Sequence, residues 1–186
     1  MNKSIMLCSL GFLIASCGFS SMAAASHGHG HHTRGHVMEA KAAFIDTKGN
    51  QVGNVVLTEE KDGVHLKLEA KGLTPGVHGI HFHNVGKCEA PTFESAGSHL
   101  NPKNKQHGFD NPQGFHDGDL PNITVGKDGT VKAEIISKNV TLDSEATNSL
   151  LSAAGTALVI HEKADDYKTD PSGNSGSRIA CGVIQH

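Results

Sequence analysis

An all-β fold, a Greek-key antiparallel β-barrel or sandwich with two long functional loops, is what this sequence predicts. Three observations carry that prediction. Apolar and polar residues alternate in short runs, as where Val64, Leu66 and Leu68 interleave with His65, Lys67 and Glu69. That is the period of a strand with one buried face. Turn signals separate the runs, and 22 Gly with 6 Pro in 186 residues favour short strands over long helices. Finally, Gly86–Pro121 and Glu162–Ser177 follow neither strand nor helix period. Loops of that length are usually functional or disordered.

Composition narrows the function. Sixteen Lys and Arg against nineteen Asp and Glu give a formal charge of -3. With no basic run, the chain offers no electrostatic footprint for nucleic acid. A hydrophobic fraction of 37% is too high for a disordered chain. There is no Trp and one Tyr, so Val, Ile, Leu, Ala and seven Phe must build the core. Fourteen histidines are the outlier and point to metal.

In chain order, Lys3 precedes an apolar run from Ile5 to Phe19, too short and too interrupted to span a membrane well. It reads as an export segment with two competing cuts. Ala23-Ala24-Ala25 before Ser26 suits ordinary signal peptidase and gives a leader of 1–25. Ile14-Ala15-Ser16-Cys17 resembles a lipobox and gives a leader of 1–16 with Cys17 lipidated. A lipid on Cys17 is the one membrane attachment expected. After either cut Cys88 and Cys181 remain, and an exported chain with two thiols usually bonds them.

Residues 26–36 form an expected flexible tail. His27, His29, His31, His32 and His36 alternate there with Gly, Thr and Arg, a composition suited to accessory metal binding. The domain is expected over 37–186. Lys48-Gly49-Asn50, Asp62-Gly63 and Lys127-Asp128-Gly129 are turns, the last leading into Val131, Ala133 and Ile135. Ala157–His161 and Ile179–Ile184 complete the strand-like runs, and Ser144–Leu151 reads as a short helical turn. His65 falls on the wet face of its strand and is assigned no ligand role.

His81-Phe82-His83 lies on a predicted strand, where residues i and i+2 share a face and both imidazoles can reach one ion. His99, His107, His116 and Asp119 lie within one long loop. Three imidazoles and a carboxylate are a complete tetrahedral zinc set. His161 ends the 157–160 strand and faces the second loop. Two unshared four-ligand sites would need eight donors. That number is reached if His78 is counted; otherwise one histidine is shared, and counting leaves the choice open. An all-nitrogen tetragonal site favours Cu(II).

At these residues the chain resembles the copper/zinc superoxide dismutases of the exported bacterial type. The similar segments are GVHGIHFH (76–83), SAGSHLNP (95–102), FHDGDLPN (115–122), HEKADDY (161–167) and GNSGSRIACGVI (173–184). The resemblance implies disproportionation of superoxide, with one copper and one zinc per subunit. It implies copper on His81, His83, His99 and His161, and zinc on His99, His107, His116 and Asp119. His99 is thereby shared and catalytic, and His78 becomes structural. It also implies a Cys88–Cys181 disulfide, Arg178 as the catalytic arginine that attracts superoxide, and Asp165 as a carboxylate linking a copper histidine to a zinc histidine.

The expected location is the bacterial periplasm or cell envelope, and the expected assembly a homodimer with the monomer as alternative. The Glu162–Ser177 loop is shorter than in eukaryotic members, so neither their steering charges nor their dimer interface carries over. N-x-T triplets at Asn122 and Asn139 are read as chance in a bacterial chain. The rival reading is a non-catalytic metal buffer, which would not need Arg178.

Overall fold

The structure, a computed structural model, describes residues 37–186. The expected leader (1–25, or 1–16 with Cys17) and the histidine tail 26–36 lie outside the described residues. Nine strands follow in order: β1 Glu39–Asp46, β2 Gln51–Glu60, β3 Gly63–Ala70, β4 Gly76–His78, β5 Ile80–His83, β6 Ile123–Val125, β7 Val131–Ser137, β8 Ala157–His161 and β9 Arg178–Val183. The one helical element among the described residues is a 3-10 turn, Glu94–Ala96.

The strands pair antiparallel in a curled sheet of order β5-β8-β9-β1-β2-β3-β7, and β4 pairs with β6 beside β7. The chain passes from β7, at one end of this order, to β8 near the other. That long connection makes a Greek-key β-barrel, as the sequence predicts.

Alternation builds the core. Ala40, Ala42 and Phe44 of β1 and Val64, Leu66 and Leu68 of β3 are buried, with wetter residues between them. The β1–β2 connection closes where the Asp46 carboxylate accepts the backbone N–H of Lys48 (2.8 Å) and Asn50 (2.9 Å). Gly49 takes φ 83° there, a conformation that disfavours residues with a Cβ.

Two strands depart from alternation, because both of their faces are covered. In β5, Ile80 and Phe82 join the main core while His81 and His83 are buried on the other side. In β8, Leu158 and Ile160 join the main core while Ala157 and Val159 pack with Phe93, Ala96 and Cys181. The 86–121 segment thus acts as an outer layer over these strands.

Ser144–Leu151 is not a helix but a series of turns, with N–H donation from Ala146 to Asp143 O and from Ser149 to Ala146 O. The Asp143 carboxylate takes the Glu145 N–H (3.1 Å), a local bond that competes with helical propagation.

Ile160→Val removes one methylene from a fully buried site and is expected to cost about 0.5–1.5 kcal/mol. Ile136→Val, at a residue 47% exposed, should stay within about 0.5 kcal/mol. Urea unfolding of the two variants side by side checks the contrast, and equal costs would refute this view of the core.

Candidate metal centre

β5 presents His81 and His83 on its outer face, and backbone hydrogen bonds lay the long loop against it. Leu100 N–H donates to Phe82 O (2.8 Å), Phe82 N–H to Gly118 O (2.9 Å) and Gly118 N–H to Leu100 O (2.8 Å). His99 and Asp119 are thereby set beside His83 and His81. Gly118 must be small, since a Cβ there would meet Phe82 O. His161 arrives from the end of β8, opposite Arg178 at the start of β9.

One donor set centres on Asp119. Its Oδ1 lies 3.1 Å from His99 Nδ1, 3.0 Å from His107 Nδ1 and 3.3 Å from His116 Nδ1. His99 Nδ1 and His116 Nδ1 are 3.3 Å apart. A tetrahedron with bonds of about 2.0–2.1 Å has edges of about 3.3 Å, so the four atoms match the corners of a zinc site. Asp119 Oδ2 is occupied by the N–H groups of Gly108 and His116, both at 3.0 Å, which leaves Oδ1 for the centre.

The second donor set is four nitrogens: His81 Nδ1, His83 Nε2, His99 Nε2 and His161 Nε2. All four are buried without a hydrogen-bond partner. The four residues offer ligand atoms within 4.8 Å of one another. Their other ring nitrogens fix the tautomer. His83 Nδ1 donates to Gly97 O (2.9 Å), His161 Nδ1 to Gly176 O (3.2 Å), and His81 Nε2 to Asp165 Oδ2 (2.8 Å). Lone pairs therefore converge in a water-poor space. Each orphaned polar atom costs about 1–3 kcal/mol, a cost a bound cation would offset. Four imidazole nitrogens suit copper.

Burial lowers the histidine pKa values to about 4 for His81 and His161 and about 3 for His99, and well below the usual value for His83. These rings are neutral at physiological pH, as metal ligation requires. Burial also disfavours charge on His107, but the carboxylates of Asp119 and Asp165 outweigh it and raise its pKa to about 9. Burial works against the Asp119 carboxylate too, yet hydrogen bonds from His107, His116 and His99 hold its carboxyl far below the usual range. The pocket around Asp119 is built to hold a cation.

Asp165 bridges the sets: Oδ2 faces His81 Nε2 (2.8 Å) and Oδ1 faces His107 Nε2 (2.9 Å). Arg178 donates to Phe93 O and to Gly97 O (2.7 Å). It lines a cavity of about 240 Å³ with His83, Ser98, His99, His161 and Ser172. Cys88 and Cys181 form a disulfide, Cα to Cα 5.6 Å. His78 stands apart from both sets, between His161 O (2.7 Å) and Thr74 O (2.8 Å). His65 lies on the β2–β3 hairpin with Asp62 at one ring nitrogen (2.7 Å) and Glu60 at the other (3.8 Å). Carboxylates on opposite nitrogens clamp a ring rather than chelate one ion. His27, His29, His31, His32 and His36 lie outside the described residues.

Sequence reasoning missed two supports. Lys103 pairs with the buried Asp117 (2.8 Å), between the zinc-set residues His116 and Asp119. Gly173 has φ 65°, and a Cβ there would fall on Asp165 Oδ1 and come within 2.8 Å of His107 Nε2. Its place in the 173–184 motif was the available signal.

Residues 51–184 match the family model described as copper/zinc superoxide dismutase. The chain is 48% identical over 149 residues to "Superoxide dismutase [Cu-Zn] 2" of Aquifex aeolicus, covering 80% of this chain and 87% of that protein. It is 48% identical over 139 residues to "Superoxide dismutase [Cu-Zn]" of Caulobacter vibrioides, covering 74% and 80%. Among solved structures, a SOD-like protein from Bacillus subtilis aligns with a TM-score of 0.75 at 43% identity, over 77% of this chain and 96% of that one.

Proposed function

Because the chain belongs to the copper/zinc superoxide dismutase family, we propose that His81, His83, His99 and His161 hold copper, that His99, His107, His116 and Asp119 hold zinc, and that Arg178 receives the substrate anion. The protein is an oxidoreductase with copper and zinc cofactors, converting two superoxide anions and two protons to dioxygen and hydrogen peroxide. The observation that carries the residue assignment is the placement of His99, with Nδ1 in the Asp119 set and Nε2 in the four-nitrogen set.

Copper supplies the one-electron couple, and zinc supplies fixed positive charge and order in the loop. Arg178 draws the anion into the cavity and holds it with guanidinium donors. Those donors are aimed by Phe93 O and Gly97 O, and Gly97 O also orients His83. His99 carries a proton on Nε2 for part of the cycle and gives it to the departing peroxide; solvent supplies the second proton. Its Nδ1, 3.1 Å from Asp119 Oδ1, would hold the ring in place among the zinc donors while Nε2 carries the proton. Asp165 holds the His81 and His107 rings in one orientation.

Metal analysis with a superoxide-decay assay on the purified mature chain tests this reading. One copper and one zinc per chain with fast decay is the expected result. Metal without decay would favour the buffer.

Asp119→Ala removes the one anionic zinc ligand. Zinc release to a chelator should speed by at least about 10–100-fold, the range for losing even an outer-shell partner. Unchanged release would place the carboxylate outside the zinc site.

The disulfide and the bacterial relatives are compatible with an exported chain. Residues 1–25 are read as the leader, or 1–16 with Cys17 carrying lipid, which places the enzyme in the periplasm or envelope. The assembly is read as a homodimer, the monomer being the alternative that sedimentation would reveal. The five tail histidines are read as capturing scarce metal. A chain starting near Val37 should then load less metal under limitation but match the full mature chain when saturated. A deficit at saturation would count against that role.

A further inference from the structure

We propose that Asn122 is a positioning residue for both metal sites, acting through Asp165. The idea rests on the ligand assignment above, since His81 and His107 matter here as copper and zinc ligands. One buried carboxylate must reach two imidazoles at once, Oδ2 to His81 and Oδ1 to His107, with its side chain fully buried. An Asp side chain is short, so the place of its backbone sets both contacts together.

Residue 165 lies in no strand or helix. Its peptide groups are held instead by one side chain. Asn122 Nδ2 donates to Asp165 O (2.9 Å), and Asp165 N–H donates to Asn122 Oδ1 (2.9 Å). The Asn122 backbone N–H donates to Tyr167 Oη (2.6 Å), while Tyr167 N–H donates to Asp165 Oδ1 (2.6 Å). Asn122 follows the zinc ligand Asp119 by three residues and leads into β6. It therefore ties the end of the first long loop to the carboxylate of the second.

The chemistry selects the residue type. A side-chain amide offers a donor and an acceptor on two separate atoms, one for each backbone polar group of Asp165. Aspartate could accept from Asp165 N–H but could not donate to Asp165 O. The Asn122 amide nitrogen is committed to Asp165 O, which sets this asparagine to an internal bond rather than to carrying a glycan.

The test loads copper and zinc into wild type, Asn122→Ala, Asn122→Asp, Asp165→Asn and the Asn122→Ala/Asp165→Asn double variant. Zinc release to a chromogenic chelator is followed, and the Cu(II) EPR spectrum is recorded. Asn122→Ala should speed zinc release by about 10–100-fold, the range for outer-shell partners. Asn122→Asp should fall between it and wild type, and carries the test if the alanine variant does not fold. The EPR spectrum of Asn122→Ala should shift in the direction seen for Asp165→Asn.

On the Asp165→Asn background, Asn122→Ala should add no more than about twofold, because the group it positions has already lost its charge. A full, undiminished effect on that background is what general loosening produces, and would overturn the proposal. So would wild-type release from both Asn122 variants while Asp165→Asn releases zinc quickly. Wild-type release from Asp165→Asn itself would show that Asp165 does not support the zinc set and would overturn the proposal, while the ligand assignment stands or falls separately with the Asp119→Ala release.

Discussion

Arg178→Glu is expected to slow superoxide removal by about 10–10³-fold at low ionic strength while copper content stays constant, the range by which a focused positive site raises on-rates. The substrate is an anion, and the guanidinium lines a cavity together with His83, His99 and His161. Burial lowers the Arg178 pKa and Glu94 nearby raises it, and an arginine remains charged throughout. Arg178→Lys should fall between wild type and Glu, since it keeps the charge but loses the planar fork. Salt provides a second readout. The wild-type rate should decline as added ions screen the field over a Debye length of about 8–10 Å, and the Glu variant should decline less or rise. A metal-loaded Glu variant working at the wild-type rate would falsify the role and favour the metal buffer.

Cys88→Ser should cost about 2–5 kcal/mol and lower the melting temperature by several degrees. The bridge spans 93 residues, a separation for which chain-entropy arguments give about 4–5 kcal/mol before native strain is subtracted. The effect should reach activity too. Cys88 belongs to the segment whose Phe93 and Gly97 carbonyls aim Arg178 and packs against the small cluster containing Phe93 and Val159. Turnover should therefore fall although every ligand and Arg178 remain. Thermal unfolding of oxidised wild type against the variant, with thiol titration, checks this; equal stability, or two free thiols in the wild type, would rule it out.

Local pattern made part of this molecule legible. The 64–69 alternation sets the inward face of β3, and strand parity puts His81 and His83 on one side. His99, His107, His116 and Asp119 could be picked out together from loop composition. The two-sided placement of His99 could not, because ring orientation has no sequence period: Nδ1 lies beside Asp119 Oδ1 and Nε2 is buried without a partner. Also illegible were contacts between segments far apart in the chain. Gly173 against Asp165 and His107, and the three bonds among Phe82, Leu100 and Gly118, leave no trace in neighbouring residues. At 144–151 the helical reading failed because Asp143 satisfies the backbone locally.

The bonds from Phe82 to Leu100 and Gly118 have a consequence for solubility. β5 ends the seven-strand order, so its outer rim would present unpaired peptide groups, a template for another chain. The ligand loop occupies that rim, taking both the N–H and the C=O of Phe82. The proposed metal retention and the cover of the β5 rim thus fall to one segment. A chain whose loop lets go uncovers Ile80–His83 together with the apolar face behind it, and edge-to-edge aggregation is the route it opens.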